Sequence, residues 1–148
     1  MIGVMNKNVI IAVAVIVFLL GGFLFFSLGS DRPELSDWGE GRIEDVEKGD
    51  GQVVSEGDRV VIHYEGALED GTVFSSSIKR GNPTRFTVGS GSVITGWEEG
   101  VLGMKEGGIR RLVIPPELGY GSKERGSIPA NSTLVYEIRL LEIESRPE

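Results

Sequence analysis

VITGWEEGVLGM, residues 93–104, is the one convincing helix pattern in a sequence that otherwise alternates between strand and turn signals. Thr95 and Glu98 have the spacing of a capping box, in which each side chain accepts a hydrogen bond from a free backbone N–H at the helix start. The apolar side chains recur at helical spacing and form one stripe of Trp97, Val101 and Met104. Because so short a helix is unstable in isolation, we expect the rest of the domain to pack around it.

The residues on both sides of this helix carry strand patterns. Residues 59–68 have the period of two of a half-buried antiparallel strand, since one face would carry Val60, Ile62, Tyr64, Gly66 and Leu68 and the other Val61, His63, Glu65 and Ala67. Asp70-Gly71 predicts a hairpin turn after it, and the serines at residues 75–77 predict a polar loop. Further strands are predicted at residues 42–51, 72–74, 84–88, 109–114 and 133–143, with a long loop at residues 115–132. This pattern is typical of an α+β domain with a curled antiparallel β-sheet around one short α-helix.

The N-terminal part of the chain has a different character, since residues 9–26 contain no charged or strongly polar side chain. A helix of this length spans about 27 Å, close to the hydrocarbon thickness of a bilayer. The segment therefore predicts an N-terminal transmembrane helix. Lys7 before it and Asp31 after it predict a cytoplasmic N-terminus, with the remainder of the chain extracytoplasmic.

This pattern divides the chain into three parts. Residues 1–30 are interpreted as a membrane anchor or signal segment, residues 31–41 as a linker, and residues 42–148 as the folded domain. The apolar run is longer than that of an ordinary signal peptide, which favours an uncleaved anchor. The alternative is cleavage near Gly29, which would give a secreted or periplasmic protein.

Charge and composition exclude several kinds of chemistry. The formal net charge is −7, and Lys7 is the only charged residue before Asp31, so nucleic acid is not expected as a partner. The sequence has no cysteine, a single histidine, and neither a His-Glu-x-x-His nor a Gly-x-Ser-x-Gly motif. These absences exclude a disulfide framework and argue against a zinc hydrolase or serine hydrolase site. His63 is interpreted as a partly solvated strand residue rather than a catalytic base.

Aromatic side chains are the remaining candidates for function. Six of them come from different predicted elements, namely Tyr64, Phe74, Phe86, Trp97, Tyr120 and Tyr136. Such a set can be a plain hydrophobic core or the lining of a ligand pocket, and periodicity alone favours the core.

Five segments resemble, in order and in spacing, the FKBP family of peptidyl-prolyl isomerases. They are VIHYEG at 61–66, LEDGTVF at 68–74, VITGWEEG at 93–100, IPPELGYG at 114–121 and IPANSTL at 128–134. The similarity covers residues 42–144 and implies an antiparallel sheet wrapped around the short helix, with a pocket for a proline ring between them. It also implies a monomer that binds proline-containing polypeptides and macrolide ligands, and that needs neither a cofactor nor a metal.

Transferred residue by residue, the resemblance implies a role for each side chain of the pocket. Trp97 would form its floor, the backbone N–H of Ile94 would bind a substrate carbonyl, and the Tyr120 hydroxyl would face the substrate backbone. The implied catalytic residues are Tyr64, Phe74, Ile94, Trp97 and Tyr120. The implied substrate-binding residues are Ser75, Phe86, Val93, Ile128 and Tyr136.

Two positions depart from the family pattern. Ser75 stands where the family often has an aspartate, and Thr84 replaces an aromatic residue of the pocket wall. These departures bear on turnover and on macrolide affinity. The expected function is acceleration of X-Pro bond rotation in extracytoplasmic protein folding, by desolvation and backbone hydrogen bonding. The alternative is a non-catalytic or weakly catalytic module that binds proline peptides in the manner of a chaperone.

Overall fold

The computed structural model describes residues 42–144. The predicted membrane segment at 9–26, the remainder of 1–30 and the linker at 31–41 lie outside the described residues. Within 42–144, no helix is both long and apolar enough to cross a membrane. The described strands are β1 Arg42–Glu47, β2 Arg59–Leu68, β3 Val73–Ser76, β4 Thr84–Thr87, β5 Ile109–Ile114 and β6 Leu134–Glu144. The helices are α1 Ser77–Arg80 and α2 Thr95–Gly100, with a 3-10 helix at Pro116–Leu118.

All strands join one antiparallel sheet in the order β1-β5-β6-β2-β3, and β4 pairs with β2 beside β3. The long strands β2 and β6 form its centre and pair from Leu68 opposite Leu134 to Arg59 opposite Glu144. One half of β2 pairs with β3 and the other half with β4, so α1 lies between these two short partners. The prediction of an antiparallel sheet with a short helix is confirmed.

The hydrophobic core lies between α2 and one face of the sheet. Apolar side chains of β2, β5 and β6 are buried there with Trp97, Val101 and Met104 from the α2 region. The contact is close because α2 presents glycine to β5: a Cβ at Gly96 would lie 2.5 Å from a methyl carbon of Ile114. Glycine therefore lets the helix backbone lie directly against the strand.

The predicted capping box is wrong. Ile94 is the N-cap of α2 and makes no side-chain hydrogen bond to it, while Thr95 is the first helical residue. The Glu98 carboxylate instead accepts hydrogen bonds from the N–H groups of Gly89 and Gly91. The spacing of Thr95 and Glu98 does not decide which N–H groups bind the Glu98 carboxylate. The turn before the helix offers free N–H donors, and these compete with the N–H groups of the helix start.

The other end of α2 is held by a buried arginine from β5. The Arg110 guanidinium donates hydrogen bonds to the carbonyl oxygens of Gly100 at 2.9 Å and Leu102 at 2.8 Å. Its Nε pairs with an Asp45 carboxylate oxygen at 2.6 Å, and this hydrogen bond lowers the pKa of Asp45. A cation at a helix C-terminus also interacts favourably with the helix dipole.

The polar loop predicted at residues 75–77 is also wrong. Ser75 and Ser76 belong to β3, and the Ser76 hydroxyl caps α1 by accepting a hydrogen bond from the Lys79 N–H at 3.3 Å. Ser77 is fully buried, and its hydroxyl accepts a hydrogen bond from the Tyr64 N–H at 2.8 Å. The serine side chain thus replaces a backbone partner for β2 where β3 has turned away, so the chain needs no loop there.

Candidate active site

The centre of the candidate site is the Trp97 ring, which α2 holds against the sheet. Three aromatic rings surround it, and the distance from the Trp97 ring centroid is 4.7 Å to that of Tyr64, 5.1 Å to that of Tyr136 and 5.8 Å to that of Phe86. Phe74 joins this group through Tyr136, at a centroid distance of 5.6 Å. Most of these pairs meet edge to face, the geometry that aromatic quadrupoles favour. We call Tyr64, Phe74, Phe86, Trp97 and Tyr136 the aromatic cluster.

Four strands, β2, β3, β4 and β6, and the helix α2 each contribute one ring to the aromatic cluster, and a glycine makes the arrangement possible. Tyr64 comes from β2, Phe74 from β3 and Tyr136 from β6. A Cβ at Gly66 would lie 2.5 Å from a ring carbon of Tyr136 and 2.9 Å from the ring of Phe74. Because Gly66 has no side chain, both rings lie directly over the backbone of β2.

The aromatic cluster has a buried base and a partly exposed border. Trp97, Phe86 and Tyr136 are 6%, 5% and 3% exposed. Tyr64 and Phe74 are only partly buried, although they pack on the same core. The remaining residues of the predicted site also contact this core, either buried, as Ile128 is, or partly buried, as are Val93, Ile94 and Tyr120. The sequence-predicted apolar site residues therefore belong to one contiguous cluster.

Ile94 joins the border of the cluster to α2. Its carbonyl accepts hydrogen bonds from the N–H groups of Trp97 at 2.9 Å and Glu98 at 3.3 Å. Ile94 itself has an extended backbone conformation, so its N–H precedes the helix and is not part of the helical ladder. A backbone N–H in this position can donate to a ligand lying over Trp97.

The long loop before β6 places Tyr120 and Ile128 beside the cluster. A two-residue bridge between Arg125 and Ile128 folds the loop back on itself, with backbone hydrogen bonds of 3.0 and 2.8 Å. The Arg125 guanidinium lies 5.1 Å from the centroid of the Tyr120 ring, within the range of a cation–π contact. The loop is therefore folded by its own contacts.

A polar group borders the cluster on the side of β3. The Tyr64 hydroxyl lies 2.9 Å from Ser75 Oγ, so Ser75 lies at the border of the aromatic cluster. Arg80 donates to both, from Nη2 to the Tyr64 hydroxyl at 3.0 Å and from Nη1 to Ser75 Oγ at 3.1 Å. Its Cζ also lies 5.4 Å from the Tyr64 ring centroid.

The sequence pattern does not identify Arg80 as a residue of the site, because it predicts no helix in this part of the chain. Signals for the short helix α1 were present, because Ser76 precedes it and Gly81 follows it with a left-handed backbone at φ 71°. Serine before and glycine after a segment are helix start and stop signals. They indicate where α1 lies, but not that Arg80 reaches Tyr64.

The polar atoms inside the cluster are shielded from water. Burial raises the pKa of the Tyr136 hydroxyl well above its ordinary value, and the neighbouring Tyr120 and Tyr64 add to the increase. Trp97 Nε1 is buried and has no hydrogen-bond acceptor within the described part of the chain. The base of the cluster is thus uncharged at neutral pH and poor in polar partners.

His63 lies on the other side of β2. It is partly buried, and its Nδ1 lies 2.9 Å from Ser77 Oγ. This agrees with the interpretation of His63 as a partly solvated strand residue.

Comparison with known proteins identifies relatives across the folded domain. Residues 51–141 match the sequence profile of the family described as FKBP-type peptidyl-prolyl cis-trans isomerase. The chain is 48% identical over 102 residues to the FK506-binding protein of Neisseria meningitidis serogroup A, an alignment that covers 68% of this chain and 94% of that protein. It is 55% identical over 95 residues to human peptidyl-prolyl cis-trans isomerase FKBP2, covering 62% of this chain and 66% of that protein.

The crystal structure of FkpA from Escherichia coli is similar in fold as well as in sequence. It superposes with a TM-score of 0.65 at 44% identity, over 71% of this chain. The matched region spans 48% of that protein, so about half of the E. coli protein has no counterpart in the alignment.

Proposed function

The chain belongs to the FKBP-type peptidyl-prolyl cis-trans isomerases, and from that membership we propose that X-Pro bonds rotate over the aromatic cluster around Trp97. The observation that carries this proposal is the convergence of three rings on Trp97, all with centroids within 5.8 Å of it. A proline ring is apolar and compact, so the Trp97 face is a suitable floor for it. Tyr64, Phe74, Phe86 and Tyr136 then form the walls, with Val93 and Ile128 at the rim.

The proposed mechanism follows from the physics of the amide bond. Rotation is slow because twisting breaks amide resonance, at a barrier of about 18–20 kcal/mol. The planar amide is more charge-separated than the twisted one, so a water-poor aromatic site disfavours the ground state more than the transition state. The low polarity around Trp97 and Tyr136 supports this desolvation effect.

Hydrogen bonding supplies the second part of the proposed mechanism. The Ile94 N–H is free of the helical ladder and donates to a substrate carbonyl, which fixes the peptide while the prolyl bond turns. The Tyr120 hydroxyl faces the substrate backbone from the long loop. Donors positioned in advance stabilise the twisted geometry without reorganisation. On this scheme the reaction requires no nucleophile.

Two variants test this assignment. Trp97→Leu removes the floor, and Tyr120→Phe removes one hydroxyl from the border. We expect kcat/KM for a proline peptide to fall by about 10- to 100-fold in Trp97→Leu, because loss of buried aromatic contact is worth about 1.5–3 kcal/mol. Loss of one neutral hydrogen bond in Tyr120→Phe predicts a decrease of about 2- to 10-fold. Unchanged activity in both variants, with folding verified by circular dichroism, would refute the site.

A second function is favoured by Ser75. The family often has a carboxylate at this position, and its absence is consistent with a weakly catalytic module that binds proline peptides or macrolides. Titration of the protein with a proline peptide, together with an isomerase assay on the same peptide, separates the two. Binding without acceleration would leave only the binding module.

We further propose that residues 9–26 anchor the protein in a membrane, with a monomeric isomerase domain on the extracytoplasmic side. The apolar run of residues 9–26 and the placement of Lys7 and Asp31 support this topology. Cell fractionation and protease accessibility of the full chain test it. Recovery in the soluble fraction at full length would contradict anchoring, whereas a soluble, shortened protein would indicate cleavage near Gly29.

A further inference from the structure

Two guanidinium groups border the candidate site, each stacked on a tyrosine. Arg80 of α1 lies over the Tyr64 ring, with its Cζ 5.4 Å from the centroid. Arg125 of the loop before β6 lies over the Tyr120 ring at 5.1 Å. Tyr64 belongs to the aromatic cluster, with its ring centroid 4.7 Å from that of Trp97, and Tyr120 packs against the same core. A ligand seated over Trp97 would therefore lie close to both cations.

The charges of these two arginines are not neutralised by the described part of the protein. Ion pairs within residues 42–144 join other arginines to carboxylates, among them Arg59 and Arg85 to Glu144, Arg110 to Asp45, and Arg111 to Glu137. Arg80 instead donates to two neutral oxygens, those of Tyr64 and Ser75. The hydroxyl of Ser75 orients the guanidinium without cancelling its charge.

Each of these two arginines has a lysine close to it in the sequence, which adds positive charge to the border of the site. Lys79 precedes Arg80, and Lys123 lies two residues before Arg125, with the acidic Glu124 between them. The whole chain, by contrast, carries a formal net charge of −7. Because the border of the site is cationic, its local electrostatic potential is positive although the whole protein is acidic. A positive potential of this kind favours partners of negative charge.

We propose that the site prefers proline segments with an acidic side chain next to the proline, and that Arg80 is the main specificity-determining residue, with Arg125 the second. A carboxylate beside the bound proline would pair with the guanidinium that Ser75 leaves unneutralised. This inference rests on the proposed function of the aromatic cluster. It adds a substrate class that the aromatic side chains alone do not define.

The test compares two peptides that differ only in the residue before proline, glutamate in one and its neutral isostere glutamine in the other. Both are assayed with the full-length protein in nonionic detergent, at low and at high salt. A partly exposed ion pair predicts a Glu/Gln ratio of kcat/KM of about two- to fivefold at low salt. The ratio should decrease toward one at high salt, because mobile ions screen such a pair.

Variants locate the origin of the preference. Arg80→Gln should bring the Glu/Gln ratio close to one, and Arg80→Lys should retain part of it. Ser75→Asp places a carboxylate on the guanidinium and should also abolish the ratio, whereas the uncharged Ser75→Asn should keep it. Arg85→Gln is the matched control, because it removes the same charge from β4, where Arg85 pairs with Glu144. The ratio in this control should equal that of the unmodified protein.

The outcomes separate this inference from the proposed function. Efficient turnover of both peptides with a ratio of one or below, or a ratio that neither Arg80→Gln nor Arg125→Gln alters, would overturn the acidic preference alone. No turnover of either peptide would count against the isomerase function. In that case the relative affinity of the two peptides, measured by calorimetric titration, tests the preference by the same criterion.

Discussion

Ser75 contacts Tyr64 and Arg80 but lacks the negative charge of the aspartate that the family often has at this position. Its hydroxyl lies 2.9 Å from the Tyr64 hydroxyl and accepts a hydrogen bond from Arg80 at 3.1 Å. A carboxylate at the same position would turn the neutral contact with the Tyr64 hydroxyl into a charge-assisted hydrogen bond of roughly twice the strength, and would pair with Arg80 as an ion. Tyr64 is therefore held less firmly here than an aspartate would hold it.

Replacing Ser75 by aspartate is expected to fix the Tyr64 ring more rigidly against Trp97. We predict that Ser75→Asp raises kcat/KM for a peptide with a neutral residue before proline by up to about fivefold, the equivalent of about 1 kcal/mol. The assay is prolyl isomerisation of that peptide at neutral pH. Ser75→Asn is the control for side-chain size, and an equal gain in this variant would show that charge is not the cause.

The contact between α2 and β5 depends on a glycine at the helix surface. A Cβ at Gly96 would lie 2.5, 2.7 and 2.8 Å from three side-chain carbons of Ile114. Ile114 is 2% exposed and branched at Cβ, so it has little freedom to move away. The helix and strand can approach this closely only while residue 96 has no side chain.

Gly96→Ala therefore sets two effects against each other. Alanine favours the helix by about 1 kcal/mol over glycine, while overpacking in a filled core costs about 1–3 kcal/mol. We predict net destabilisation, measured as a lower midpoint in urea denaturation. The exposed Glu99→Ala on the same helix is the control and should change stability little. Ile114→Ala combined with Gly96→Ala should cost less than the sum of the two single changes, and strict additivity would contradict the clash.

The elements that sequence predicts well are those encoded by local pattern. The alternation in residues 59–68 and the buried positions of β6 follow from a period of two, and both strands are present. The pattern also predicts the helix around Trp97, but the capping box that it predicts is wrong, because Glu98 accepts hydrogen bonds from Gly89 and Gly91 in the turn before the helix. The sequence pattern does not show that Gly89 and Gly91 lie close to Glu98, so it cannot predict that their N–H groups bind its carboxylate.

Local sequence pattern is also insufficient to predict every contact of the candidate site. Five of the six aromatic residues lie on strands or on α2, where the sequence has a readable period, whereas Tyr120 lies in the loop before β6. Their grouping as a site is implied by the family resemblance and not by periodicity. Arg80 reaches Tyr64 through a turn whose geometry depends on the burial of Ser77 and its hydrogen bond to β2. Side-chain to main-chain bonds of this kind have no period, so only the folded arrangement reveals them.

At the scale of the whole domain, the sheet and α2 enclose one core that extends directly into the aromatic cluster. The residues that would bind a proline are thus part of what stabilises the fold. Tyr136 is the clearest example, since its ring centroid lies 5.1 Å from that of Trp97 and the residue is almost fully buried. A change in its charge must affect global stability, not only the site.

The raised pKa of Tyr136 determines how the stability of the domain changes with pH. Below the unfolded pKa of about 10 both states keep the proton, so stability does not depend on this group. Above it the unfolded chain releases the proton while the folded domain retains it. We predict that the free energy of unfolding falls by up to about 1.4 kcal/mol per pH unit above pH 10 on account of Tyr136. Urea denaturation of the full chain between pH 8 and pH 11 measures this slope.

Tyr136→Phe should remove this part of the alkaline slope, because phenylalanine has no proton to lose. Tyr120→Phe is the matched control, since it deletes a phenol that is only partly buried and leaves Tyr136 intact, and the slope should persist. An identical slope in Tyr136→Phe and the unmodified protein would show that the alkaline loss of stability arises elsewhere, and that the base of the aromatic cluster is more accessible to water than its 3% exposure indicates.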